Sequence, residues 1–148
     1  MIEQTHHDRH TSHEAGELVC VTLSTADHCR ITEVLSRTCE SNSHANALLN
    51  KKLSAARLIA PQRVPPNLVT MNSRVLFAEI DTQAVYGLTL AYPDPNMHTG
   101  EVSVLSAVGA ALLGLSTGQD IHWIGASGRR LGLRVLDVIY QPEANGAY

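Results

Sequence analysis

The segment APQRVPPN (60–67) constrains this chain most, because the hydrophobic pattern changes period across it. Pro61 and the Pro65-Pro66 pair lack amide donors and push the residue before each of them out of helical geometry, so no helix runs through. Before the segment, apolar residues recur at helical spacing. After it they alternate. Such a chain must fold as a helical part followed by a sheet-forming part, and the boundary falls between residues 60 and 61.

In the helical part, ELVCVTL (17–23) alternates in part and predicts a short strand. STADHCRITEVLSRT then places Ser24 three residues before Asp27, the Ser/Thr-x-x-acid signature of a helix start. Ile31, Val34 and Leu35 form one apolar face. After the polar break CESNS (39–43), HANALLNKKLSAARLIA repeats the helical pattern, with Leu49, Leu53, Ala56 and Ala60 in a narrow seam. Lys51, Lys52 and Arg57 lie largely off that seam. Two such helices predict an antiparallel hairpin over 17–60, a short coiled coil. At about 15 residues per arm it would be roughly 22 Å long.

The second part, 61–148, predicts an antiparallel sheet with one short helix, an α+β module. RVLFAEI and AVYGLTLAY form a β-hairpin across DTQ, with Tyr86, Leu88, Leu90 and Tyr92 on one face. PDPNMHTG (93–100) is a loop and EVSVL a short strand. SAVGAALLG is a helix capped by Ser106 and closed by Gly114 in the left-handed position. QDIHWIG and RRLGLRVLDVIY form the last hairpin across an ASG turn. In its second strand Leu131, Leu133 and Val135 share a face while Leu136, Val138 and Tyr140 continue in the opposite phase. A one-residue bulge near Val135–Leu136 would bring both sets to the core, and a strand buried on both faces is the alternative.

The first sixteen residues, MIEQTHHDRHTSHEAG, have no apolar periodicity and read as a disordered tail. His6, His7, His10 and His13 have helix-compatible spacing but no companion carboxylate or cysteine cluster, so no metal site is assigned. Cys20, Cys29 and Cys39 are odd in number and lack CxxC spacing, and no apolar run resembles a signal peptide or membrane span. A reduced, cytoplasmic compartment is expected. Formal charge is −3 with no strongly polarised segment, which argues against a general nucleic-acid or membrane-surface binder. Only 4% of residues are aromatic, so Leu, Val, Ile and Ala must build the core. No cofactor motif is present. Ser127 in GASGRR is not a nucleophile motif, Cys29 beside His28 reads as a helix-surface pair, and Asp94 serves turn geometry. Arg130 and Arg134 read as a solvated strand edge, with a contact to an acidic partner as the alternative.

Three blocks, VTMNSRVLF (69–77), SVLSAVGAALLGLSTGQDIHW (103–123) and VLDVIYQPEANG (135–146), resemble the Gre family of transcript-cleavage factors. Within it they resemble the branch of small bacterial regulators of nucleoside diphosphate kinase. The resemblance implies an FKBP-like C-terminal domain, an N-terminal antiparallel coiled coil, and binding of a monomer at the rim of the RNA polymerase secondary channel. The family's Ser-Pro before its short helix falls on Ser106-Ala107, without the proline. Its Gly-Ser falls within Met71-Asn72-Ser73. Ser106, Ala107, Val108, Met71, Asn72 and Ser73 are therefore the implied polymerase contacts.

Gre factors carry acidic residues at the coiled-coil tip that help hold a catalytic metal. Here the tip, with Glu40, Asn42 and His44, supplies one carboxylate, and a second divalent ion needs more. The expectation is a polymerase-binding regulator that is not an enzyme, with no catalytic residues and a link to nucleoside diphosphate kinase. The rival readings are a weak cleavage stimulator using Glu40 and, on the fold alone, a peptidyl-prolyl isomerase.

Overall fold

The computed structural model describes residues 21–38, 43–125 and 127–147. The proposed tail and the strand over 17–20 lie outside them. The first element, β1 (Thr22–Ser24), leads directly into α1 (Thr25–Arg37). Ser24 caps that helix, its Oγ accepting from the Asp27 N–H at 3.0 Å, as the Ser-x-x-Asp spacing requires.

The second helix, α2 (Ser43–Ala55), is shorter than its seam suggested. Instead of continuing to Ala60, the chain becomes β2 (Arg57–Ile59), which pairs in parallel with β1, Leu23 opposite Leu58. Pro61 holds Ala60 extended at φ −67°, ψ 146°, and residues 57–59 are taken up in pairing with β1, the Arg57 N–H donating to the Val21 carbonyl at 2.9 Å. The His28 Nε2 meets the Leu53 carbonyl at 2.9 Å, so the start of α1 lies beside the end of α2.

Beyond a single 3₁₀ turn (Pro61–Arg63) come β3 (Arg74–Glu79), β4 (Val85–Ala91), β5 (Glu101–Ser103), α3 (Ala107–Leu112), β6 (Asp120–Ile124) and β7 (Arg130–Tyr140). The five strands form one sheet in the order β5-β4-β3-β7-β6. Both expected hairpins are present, β3 with β4 and β6 with β7. The sheet is not wholly antiparallel, however. β5 runs parallel to β4, Thr89 opposite Glu101, because the loop 92–100 carries the chain back beside the last three residues of β4 before β5 begins.

The phase change in β7 is a bulge. Phe77 pairs with Val135 and Leu76 with Asp137, which leaves Leu136 without a partner. A second irregularity skips Ile139. Val135 is fully buried and Val138 packs on the core, while Leu136 and Tyr140 stay exposed. The bulge therefore restores only Val138 to the core face, not the whole second set.

A continuous cluster of buried side chains crosses the 60/61 boundary, running from Leu23, Ile31 and Leu49 through Val75, Phe77 and Leu90 to Leu112, Ile121 and Val135. At its centre sits α3, whose residues Gly109 to Leu112 are all buried. Gly109 is required by space, since a Cβ there would overlap the backbone of Ser103 and Val104. Gly114 is required by conformation, with φ at +81°.

Candidate functional site

Three places in the fold stand out, and the first two hold residues singled out by sequence. The first is the entry to α3. Ser106 Oγ accepts from the Gly109 N–H at 3.1 Å and donates to the Ser103 carbonyl at 2.7 Å. Ser103 Oγ in turn accepts from the Leu105 N–H at 3.0 Å. The turn is thus locked at both serines, and Ser106, Ala107 and Val108 are held half-exposed in one orientation. Ser106 has its proton committed internally, so this corner presents mainly the Ala107 and Val108 side chains and the turn's backbone.

The second place is the Met71-Asn72-Ser73 turn, and the structure divides it. Met71 and Ser73 are buried and cannot face a partner. Asn72 is exposed, at φ +68°, with its N–H donated to the Leu90 carbonyl at 2.6 Å. Ser73 and Thr70 form a relay: the Thr70 N–H donates to Ser73 Oγ at 3.0 Å, and the two hydroxyls lie 2.8 Å apart. Thr70 Oγ1 donates to Glu143 Oε1 at 2.7 Å, so the proton between the hydroxyls belongs to Ser73.

This relay adjoins the base of α1. Asp27, buried in the first helical turn, accepts from the Met71 N–H at 3.1 Å through Oδ2. Burial pushes its carboxyl up to about 6; the Met71 amide works against that, Glu143 adds to it, and Arg30 opposes it. Arg30 stands 5.9 Å from the centroid of the Tyr92 ring. Burial pushes the Tyr92 hydroxyl above the usual tyrosine range, and the Asp27 charge adds to this. The cluster therefore fastens the helical arm to the sheet at the turn that displays Asn72.

The third place was missed by the sequence reading. Lys52 is fully buried, and its Nζ donates to the Ala111 carbonyl at 2.7 Å and the Leu113 carbonyl at 2.6 Å. These are among the carbonyls left unpaired as α3 ends. Two of the amine's N–H donors thus find an acceptor here. Burial pushes the Lys52 amine well below the usual lysine range. The signal was present in the spacing: Ala45, Leu49 and Lys52 fall at i, i+4 and i+7, and all three are buried. The seam drawn through Leu49, Leu53, Ala56 and Ala60 left Lys52 largely off it.

Of the tip residues, Glu40 and Asn42 and the side chain of His44 lie outside the described residues, as do the tail histidines. Among the described residues no group of three or more His, Cys, Asp or Glu is placed to hold a metal ion. Smaller assignments sort as follows. Asp94 Oδ1 accepts from the Asn96 N–H at 2.8 Å, a turn role as expected. Arg134 is not simply solvated, because it grips Asp120 on the neighbouring strand with two hydrogen bonds of 2.7 and 2.9 Å. No described helix is long and apolar enough to cross a membrane.

Comparison with known proteins places these features in a family setting. The family described as "Transcription elongation factor, GreA/GreB, C-term" matches residues 64–140. The regulator of nucleoside diphosphate kinase of Escherichia coli strain K12 is 44% identical over 101 residues, 68% of this chain and 74% of that protein. Transcription elongation factor GreA of Thermodesulfovibrio yellowstonii is 28% identical over 94 residues, 63% of this chain and 59% of that one. The solved structure of a transcription elongation factor GreA/GreB from Nitrosomonas europaea superposes with a TM-score of 0.62 at 34% identity, covering 83% of this chain and all of that one.

Proposed function

The chain belongs to the GreA/GreB transcription elongation factor family, and on that premise we propose that it binds RNA polymerase at the rim of the secondary channel. In this reading the corner Ser106–Val108, with Asn72 as a second exposed point, docks the FKBP-like part of the chain on polymerase. The helices α1 and α2 act as a short coiled-coil arm that occupies the channel without stimulating transcript cleavage. The regulatory link to nucleoside diphosphate kinase comes from the relative's name.

The observation that carries the reading is the capped corner at Ser106. It lies inside the family match and is held by five hydrogen bonds through Ser103 and Ser106 in a half-exposed setting. Pre-organised corners of this kind dock with little ordering entropy. The non-catalytic half rests on the tip sequence RTCESNSHAN, where Glu40 is the sole carboxylate. One carboxylate is a poor ligand set for a hard divalent cation.

The test is binding to RNA polymerase core, with a Gre factor as competitor and a backtracked complex as cleavage substrate. Competitive binding with no faster cleavage supports the reading. Cleavage that disappears in Glu40→Ala would instead make this a minimal cleavage factor. Failure to bind core polymerase at micromolar concentration would remove the channel assignment altogether.

A further inference from the structure

The pair β1–β2 is an incomplete sheet. It has two short parallel strands, whereas parallel strands are nearly always covered and a lone pair of strands is marginal. The outer side of β1 is satisfied, since the Thr22 N–H donates to the Gly114 carbonyl at 3.2 Å. The outer side of β2 is not. The Arg57 N–H points towards β1, donating to the Val21 carbonyl at 2.9 Å. Strand alternation then turns the Leu58 N–H and C=O to the opposite side, where no strand lies among the described residues.

Beside this edge runs an open groove of about 550 Å³, lined by Thr22, Arg57, Leu58, Ala60, Arg63 and Pro65 among others. Its charge is one-signed, with two arginines and no carboxylate. Both arginines are exposed and neither has an ion-pair partner among the described residues, whereas Arg37 and Arg134 are paired with Glu33 and Asp120. Between them Leu58 leaves 46% of its surface exposed.

We propose that this edge is a docking site for an extended, acidic peptide segment of a protein partner. The segment adds as a third strand on β2, exchanging main-chain hydrogen bonds with Leu58. Its acidic side chains meet Arg57 and Arg63, and an apolar side chain covers Leu58. Arginines on an edge deter neutral strands from adding, but they attract a strand of opposite charge. A nucleic-acid backbone would use the arginines and leave Leu58 and the strand edge idle, and no aromatic side chain lines the groove to stack a base.

The experiment uses the full chain and a fluorescein-labelled octapeptide of alternating Glu and Val, read by anisotropy, with the Lys-Val octapeptide as control. Saturable binding of the acidic probe, at least tenfold tighter than the basic one and weakened by 0.5 M salt, is expected. The double variant Arg57→Glu/Arg63→Glu should lose at least tenfold in affinity while its urea midpoint stays within error, because both side chains are exposed. Arg57→Lys/Arg63→Lys should stay within a few-fold of the parent. Amide exchange at Leu58 should slow at least tenfold in the complex. Binding unchanged by charge reversal, or a Leu58 amide that exchanges equally fast when the probe is bound, would overturn the proposal. So would a single-stranded thymidine dodecamer that binds tighter than the peptide and displaces it.

Discussion

Replacing Lys52 by alanine should destabilise the protein by about 3–5 kcal/mol, and the reasoning can be checked at each step. Truncation removes the chain from Cγ to Nζ from a fully buried position, a loss comparable to Leu or Met to Ala in a core, about 2–5 kcal/mol. It also strips the Ala111 and Leu113 carbonyls of their donor, at about 1–3 kcal/mol for each buried orphan. Against this stands the relief of no longer holding an amine away from water, so the sum lies below the total of the two losses. Lys52→Met keeps most of the volume and loses only the hydrogen bonds, so it should cost about 2 kcal/mol.

Urea unfolding followed by far-ultraviolet circular dichroism reads both values. A pH series isolates the amine. Its folded-state pKa lies below the unfolded value near ~10.4, so the unfolded chain binds the extra proton in the window between the two. Stability should therefore rise with pH across that window, and Lys52→Met should flatten the rise below the unfolded value. A cost under about 1 kcal/mol for Lys52→Ala, or equal pH slopes in parent and Lys52→Met, would refute the argument.

Asp27 behaves in the opposite sense: its pKa is raised to about 6, so its contribution is present below the unfolded value and is lost as pH rises through 6. Carbon-detected NMR of the carboxyl should show a midpoint near 6, and Asp27→Asn should remove the decline in stability between about pH 4 and 6. Gly109→Ala should cost about 3 kcal/mol, because the clash is with the backbone of Ser103 and not with a movable side chain; thermal unfolding measures it. Ser106→Ala removes the α3 cap and should cost about 1 kcal/mol in urea. If the corner docks on polymerase, the same variant should also weaken that binding in a pull-down at constant protein concentration.

Much of the architecture was legible because short-range rules dictate it. Ser24 and Ser106 announce helix starts through hydrogen bonds three residues away, and Gly114 announces a stop through its own backbone. The bulge in β7 was legible too, since a phase change in alternation has few geometric solutions. The site was less so. Met71 and Ser73 match the family pattern but are consumed by internal packing, while Asn72 between them is displayed.

By itself the sequence determined most helix starts, the β-hairpins and which family they compose, because capping, proline and alternation act over a few residues. Only the tertiary structure decided that β2 pairs in parallel with β1, that β5 runs alongside β4, and that a lysine belongs in the core. Those outcomes depend on what lies opposite in space. The donors Lys52 supplies are needed only because α3 ends against α2, 59 residues away along the chain. A hydrophobicity pattern ranks side chains by their cost in an apolar medium, and it does not see an acceptor waiting there.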